Sequence, residues 1–174
     1  VSAGNHVDSI SLGMDYRVFG DLPIDERDKV VARYIADNVR NLRVLSPAES
    51  MNALTVGAIF ADDNAYTELP SMVLPQSSQV PAAYSSFGRG INNSIKPDIL
   101  YDGGRNLVRF DPTGATLAKW RNSVNYGPGI KSAYPGNPVT GSVMTGYSCG
   151  TSNAAALISN QAANCYDILN DIFV

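Results

Sequence analysis

The chain has 174 residues, enough for one domain with a hydrophobic core. Hydrophobic residues make up 44% and charged residues 17%, a balance that excludes an intrinsically disordered chain. The net charge is −3 with no basic cluster, which argues against a nucleic-acid partner. No apolar run approaches membrane-spanning length and the first residues do not read as a signal peptide, so no membrane partner is expected.

Residues 1–5, Val-Ser-Ala-Gly-Asn, read as the end of a parallel strand. Residues 6–24 read as loop, broken by Gly13, Gly20 and Pro23. Asp25 then suits the N-cap of a helix over about 26–43. Its apolar positions Val31, Tyr34, Ile35, Val39 and Leu42, with Leu45 beyond, recur at helical spacing and mark a packing face without chemistry. Residues 53–59 form a short β-branched run, a buried strand. Residues 61–83 are polar and punctuated by proline, hence surface loop. Within them the adjacent carboxylates Asp62 and Asp63 suit solvent; a structural calcium is unsupported, and no cofactor is expected.

Residues 98–101 read as a second buried strand, stopped by Gly103-Gly104. Residues 107–110 and 115–120 flank Asp111-Pro112-Thr113-Gly114, a hairpin turn. Residues 122–146, rich in Gly, Pro, Ser and Asn, read as a long irregular loop. From Ser152 to about Asn164 the chain is helical, continuing or restarting toward Val174. There are no internal repeats. Strands with buried rather than alternating patterns, interleaved with helices, predict an α/β fold on a parallel sheet.

The most informative segment is Gly150-Thr151-Ser152, a small-residue turn that runs into an alanine-rich helix. It puts a hydroxyl at a helix N-terminus, where open backbone N–H groups and the positive end of the dipole favour developing negative charge. A serine nucleophile of acyl transfer needs that setting, although the same triplet also serves as an ordinary N-cap.

Further blocks precede it in a fixed order: Val1-Ser2-Ala3-Gly4-Asn5; Ser46-Pro47-Ala48 leading to Asn52-Ala53-Leu54-Thr55-Val56-Gly57-Ala58; and Ser85-Ser86-Phe87-Gly88 leading to Lys96-Pro97-Asp98-Ile99. In this order, over about residues 1–165, the chain resembles the subtilisin-like serine peptidases, with unfamiliar insertions between the blocks. The resemblance implies a parallel sheet with helices on both faces and a peptide or protein substrate. It implies that Ser152 attacks the scissile carbonyl. Asn5 would donate its side-chain amide to the oxyanion, together with the backbone N–H of the nucleophile. Ser2, Ala3 and Gly4 would form one wall of the pocket for the side chain preceding the cleaved bond.

The base is missing from this pattern. In the family the histidine begins a helix far upstream of the asparagine block, so His6, beside Asn5, is not that residue; Asp8 and Asp15 also follow the block. Val1 begins inside what reads as a buried strand. The expectation is therefore that residues 1–174 are the C-terminal portion of a single peptidase domain. The fold would be incomplete with its N-terminal half absent, and this chain alone, lacking the triad His and Asp, would be inactive. The missing half is then an expected partner, and unpaired strand edges and apolar faces favour self-association of the isolated piece.

Three positions depart from the family pattern: Asn153 stands where Met is usual, Ala156 where Pro is usual, and Tyr101-Asp102-Gly103 where Ala-Pro-Gly is usual. Asn153 is a candidate hydrogen-bond donor near the serine. The first two departures favour a rival reading, a catalytically silent pseudopeptidase that holds peptides. A third reading, a nucleotide- or phosphate-binding domain, lacks the required glycine-rich loop with lysine. Cys149 and Cys165 lie about 20 Å apart along the helix, beyond disulfide reach. Unbridged thiols favour a reducing, cytoplasmic compartment.

Overall fold

The computed structural model describes residues 1–6, 9–66, 72–111, 114–121, 127–137 and 139–173. Its elements run β1 (Ile10–Ser11), α1 (Tyr16–Asp21), α2 (Ile24–Asn38), β2 (Val56–Ile59), β3 (Met72–Val73), β4 (Gly88–Arg89), β5 (Ile95–Lys96), β6 (Ile99–Asp102), β7 (Leu107–Asp111), β8 (Gly114–Arg121), β9 (Ile130–Asn137), β10 (Ser142–Ser148) and α3 (Thr151–Phe173).

The fold is mixed α/β, with several small sheets and flanking helices. Its parallel part is short. β2 pairs with β6 in parallel register, Val56 opposite Ile99 through Ile59 opposite Asp102. Ser2 extends this ladder by a parallel bridge to Val56, with Ala3 N–H donating to Val56 O at 2.9 Å and Val56 N–H to Val1 O at 2.8 Å. The strand expected over residues 1–5 is thus reduced to this bridge. β2 starts at Val56 rather than at residue 53, and β6 is half-buried rather than buried. α3 lies against β2 and β6.

The larger sheet is antiparallel, in the order β1-β8-β7-β3. The expected hairpin forms, β7 pairing with β8; its turn residues Pro112 and Thr113 lie outside the described residues. Three loop expectations are overturned, one of them for residues 61–83, which hold β3 paired with β7 and the buried side chains of Val73, Ala82 and Ala83. Residues 6–24 contain β1, which pairs with β8, and α1, whose N-cap Asp15 accepts from Arg17 N–H at 2.8 Å. Residues 122–146 contain most of the β9–β10 hairpin. Its strands pair through backbone hydrogen bonds, and most of its described side chains are exposed, so it leaves no hydrophobic alternation to read. Helix α2 starts one residue before Asp25, with Pro23 at the cap position, and ends at Asn38. Residues beyond Val39 turn instead, and Leu42 is buried from that turn.

One core lies between the antiparallel sheet and the first two helices: Ile10, Leu12, Phe19, Val31, Val73, Ala83, Val108 and Ala118. Phe19 is fully buried, and truncating such a ring to alanine costs about 3–5 kcal/mol. Arg27 is buried beside it. Its guanidinium donates to three carbonyls, Leu22 O at 3.1 Å, Leu74 O at 3.0 Å and Gly20 O at 2.7 Å, which ties the α1 end and the β3 loop to α2. A smaller core of Ala58, Phe60, Ala82 and Tyr84 underlies the parallel strands.

Candidate active site

The site is built where β6 ends. Gly103 N–H donates to Ile59 O at 3.0 Å and Gly104 N–H to Ala61 O at 2.9 Å, so the two glycines close the parallel pair. A Cβ on Gly103 would stand 2.4 Å from Ala58 Cβ and 2.7 Å from Tyr84 Oη, so only glycine fits. Tyr84 Oη in turn donates to Gly104 O at 2.7 Å. On this platform Gly150 N–H donates to Gly103 O at 2.8 Å, and α3 begins.

Gly150 O receives the N–H groups of Asn153 and Ala154, which gives Gly150 the cap position of α3. Ser152 is therefore not the N-cap. It lies in the first turn of the helix and is exposed. The capping side chain comes from the other end of the chain. Asn5 Oδ1 accepts from Thr151 N–H at 2.8 Å and from Thr151 Oγ1 at 3.1 Å. Thr151 Oγ1 also accepts from Gly4 N–H at 3.1 Å, and Thr151 is fully buried.

These contacts fix which way the Asn5 amide faces. A backbone N–H can only donate, so the oxygen of the amide must meet Thr151. The amide nitrogen is left free to donate elsewhere. It sits beside the Gly150 turn, 3.0 Å from where a Cβ on Gly150 would stand. Among the described residues neither Asn5 Nδ2 nor the Ser152 N–H has a protein acceptor. The structure thus brings together the hydroxyl-bearing turn and the asparagine amide, two features 146 positions apart in the chain.

The strip from Ser2 to Gly4 is held on both edges. Ala3 O accepts from Leu45 N–H at 2.9 Å and Gly4 O from Ser86 N–H at 3.0 Å, and Asn5 bridges to Ser85. Ser85 Oγ accepts from Ala58 N–H at 3.1 Å, so this serine pair braces the strip against β2. The Lys96-Pro97-Asp98 block is also structural. Asp98 Oδ2 receives Lys96 Nζ at 2.7 Å and Thr55 N–H at 2.7 Å, while Lys96 Nζ also reaches Ala53 O at 3.0 Å. The Lys96 ammonium, then the Thr55 N–H, hold the Asp98 carboxyl below its ordinary range.

His6 stands apart from the hydroxyl. Its Nε2 lies 3.2 Å from Arg43 O, and its backbone N–H donates to Tyr84 O at 2.7 Å. Asp8 lies outside the described residues. Among the described residues no imidazole or carboxylate is hydrogen-bonded to Ser152. Asn153, considered above as a donor near the serine, donates instead to Ser148 Oγ at 3.2 Å and steadies the approach to the turn.

Asp62 does not serve as a solvated carboxylate. Its side chain is 1% exposed and receives Arg105 through its backbone N–H at 2.7 Å, Nε at 3.1 Å and Nη2 at 2.9 Å. Asn64 N–H and Gly129 N–H complete the set at 2.9 and 3.0 Å. Burial by itself would raise this carboxyl. The Arg105 and Asn64 hydrogen bonds and the Arg105 charge outweigh it and hold it below the carboxylate range. Asp62 thereby pins the start of the β9–β10 hairpin, which leads straight into the Ser152 turn. Sequence reasoning missed this role; an acidic pair in a polar stretch carries no signal of an arginine 43 residues on. Burial, and then the Asp62 charge, push the neighbouring Cys149 thiol up to about 12. Cys149 and Cys165 do not bridge.

A strand-end glycine platform, a helix with Ser152 in its first turn and an asparagine amide fixed against that turn thus lie together. The model of the Subtilase family matches residues 1–172, and the chain belongs to that family. It is also 34% identical over 80 residues to an uncharacterized protein, y4bN, of Sinorhizobium fredii; the match covers 44% of this chain and 18% of that relative. No solved structure matches the chain significantly. That family is one of serine peptidases, a hydrolase class.

Proposed function

We propose that this chain carries the nucleophile and the oxyanion hole of a subtilisin-type serine endopeptidase. Ser152 Oγ attacks the scissile carbonyl carbon and gives its proton to a base. The carbonyl π electrons move onto oxygen, and the resulting oxyanion accepts from Asn5 Nδ2 and the Ser152 N–H. Collapse of this intermediate expels the amine, which leaves with the proton, and water then hydrolyses the acyl-enzyme. The observation that carries this reading is the Asn5 amide, locked through its oxygen to Thr151 so that its N–H groups stay available.

No residue of this chain matches the family's histidine or aspartate, so the base and its orienting carboxylate come from elsewhere in the same polypeptide. The chain by itself is inactive, and a fragment-level fold of this kind associates with that missing portion or with itself. The outer half of α3 supports the last point: Tyr166, Ile168, Leu169, Ile172 and Phe173 are all more than half exposed. In sedimentation of the isolated chain, self-association is expected; a clean monomer with low dye binding contradicts it.

The central test is labelling of the full-length polypeptide by a fluorophosphonate probe. Labelling is expected and Ser152→Ala abolishes it; labelling at full strength in the variant rules out the assignment. A correctly folded full-length protein that never labels, yet binds peptides, supports the pseudopeptidase reading instead.

A further inference from the structure

Helix α2 turns one face toward a cavity of about 380 Å³ that the Ser152 site does not use. Asp28, Ala32 and Ile35 recur at helical spacing and form one wall; Gln76, Val80, Pro81 and Phe87 form the other. Except for Phe87, none of these residues belongs to the blocks that carry the family pattern. The wall facing α2 is braced. Gln76 is buried and its side chain spans the loop, Nε2 donating to Pro81 O at 3.0 Å and Oε1 accepting from Ala83 N–H at 3.0 Å. Phe60 N–H donates to Val80 O at 2.8 Å, which ties the loop to the residue after β2, and Phe87 N–H donates to Leu42 O at 2.8 Å. A wall fixed by these bonds gives a pre-formed cavity in the size range of small-molecule sites.

Two polar side chains interrupt the apolar lining. Both ends of the Gln76 amide are engaged in the loop. Asp28 is half-buried and its carboxylate is held in place, Oδ1 accepting from Ser77 N–H at 2.8 Å and Oδ2 from Ser77 Oγ at 2.6 Å. A carboxylate has about four acceptor positions, so these two bonds leave capacity for a ligand. Among the described residues no ammonium or guanidinium forms an ion pair with Asp28. An oriented anion beside hydrocarbon walls favours a cation carried on an apolar body. A peptide end fits less well, because its amide groups would enter an apolar space without partners. We propose that this cavity is a binding site for a small organic monoamine. Its ammonium pairs with Asp28, and its single ring or branched hydrocarbon body packs among Ala32, Ile35, Val80 and Phe87. The proposal does not rest on the function proposed above, since its readout is binding.

The test is calorimetric titration of the full-length polypeptide with phenethylammonium, with phenethyl alcohol, phenylacetate and the tripeptide Phe-Gly-Gly as comparators. The ammonium is expected to bind with a Kd of about 1 mM or tighter. The alcohol, the anion and the tripeptide are each expected to bind at least about tenfold more weakly, the difference that a charge-assisted hydrogen bond makes. Asp28→Asn keeps an acceptor for the Ser77 N–H and removes the charge, so it is expected to bring the ammonium down to the affinity of the alcohol. Ala32 is exposed on α2, so Ala32→Trp adds bulk at the cavity without displacing a core side chain, and is expected to abolish binding of both. A wild type that does not bind the ammonium at that level overturns the proposal. So does an Asp28→Asn variant that keeps the ammonium preference, or an Ala32→Trp variant that binds at full strength. A tripeptide that binds as tightly as the ammonium overturns the assignment to a free amine. If Asp28→Asn shows no thermal transition, the wild-type charge series and Ala32→Trp decide.

Discussion

Asn5 performs two tasks with two atoms, and substitution can separate them. Its oxygen caps the start of α3; in the proposed function its nitrogen is the oxyanion donor. Asn5→Ala removes both. The Thr151 N–H, in a residue with no exposed surface, then loses its acceptor, at a cost of about 1–3 kcal/mol of stability. The oxyanion loses one donor, a loss of about 100- to 1,000-fold in kcat. Asn5→Asp keeps an acceptor for Thr151 and places negative charge at a helix N-terminus, which favours the fold by about 0.3–1 kcal/mol. The same change replaces N–H donors with oxygen, so kcat falls by at least about 100-fold. The expected pattern in the full-length protein is therefore a destabilised, slow Ala variant and a stable, equally slow or slower Asp variant. Denaturant unfolding and pre-steady-state turnover of an activated ester read the two axes. An Asp variant with kcat within threefold of wild type refutes the oxyanion role, and one as unstable as the Ala variant refutes the capping role.

Other outcomes follow from the frame of the site. Arg105→Ala leaves Asp62 buried without its cation and should cost about 3–5 kcal/mol by denaturant unfolding. Because the folded state holds the Asp62 carboxyl below its unfolded value, its contribution is complete above about pH 4 and is lost as pH falls through the folded value. Acid titration of stability should therefore flatten in that variant. Gly103→Ala forces a methyl to within 2.4 Å of Ala58 Cβ and should cost about 1–3 kcal/mol or more, read as a lowered Tm. Alkylation at pH 8 should modify exposed Cys165 quickly and Cys149 far more slowly, since the latter's thiol is pushed up to about 12; mass mapping that finds equal rates contradicts the burial of Cys149.

Long-range architecture was legible where the sequence bears on backbone chemistry. The paired glycines at 103 and 104 stop β6, and the alanine run after Ser152 forms helix α3. The 107–121 hairpin follows from its strand patterns and turn composition. The family blocks proved to converge spatially, Gly4 with Thr151 and Ser86, and Asp98 with Thr55. Illegible parts depend on partners distant in sequence. β1 is two residues long and exists only because β8 pairs with it. The β9–β10 hairpin is held by backbone bonds and by Asp62, neither of which leaves a periodic trace. Helical spacing ran on to Leu42 and Leu45, yet both side chains serve a turn, one buried in it and the other turned back onto Gly4. The candidate serine was legible only from its turn together with the ordered blocks before it. That Asn5 rather than Ser152 caps the helix required the tertiary fold.

The hydrogen bond between Asn5 and Thr151 joins two segments 146 positions apart in the chain. Closing so long a span is slow compared with forming local hairpins, because it waits on the docking of everything between. Until α3 settles onto β2 and β6, the amide has nothing to grip and its nitrogen is not aimed. Before that docking the Ser152 hydroxyl lies without the Asn5 amide beside it. The contact that orients the amide thus forms only with the global fold, not with any local element.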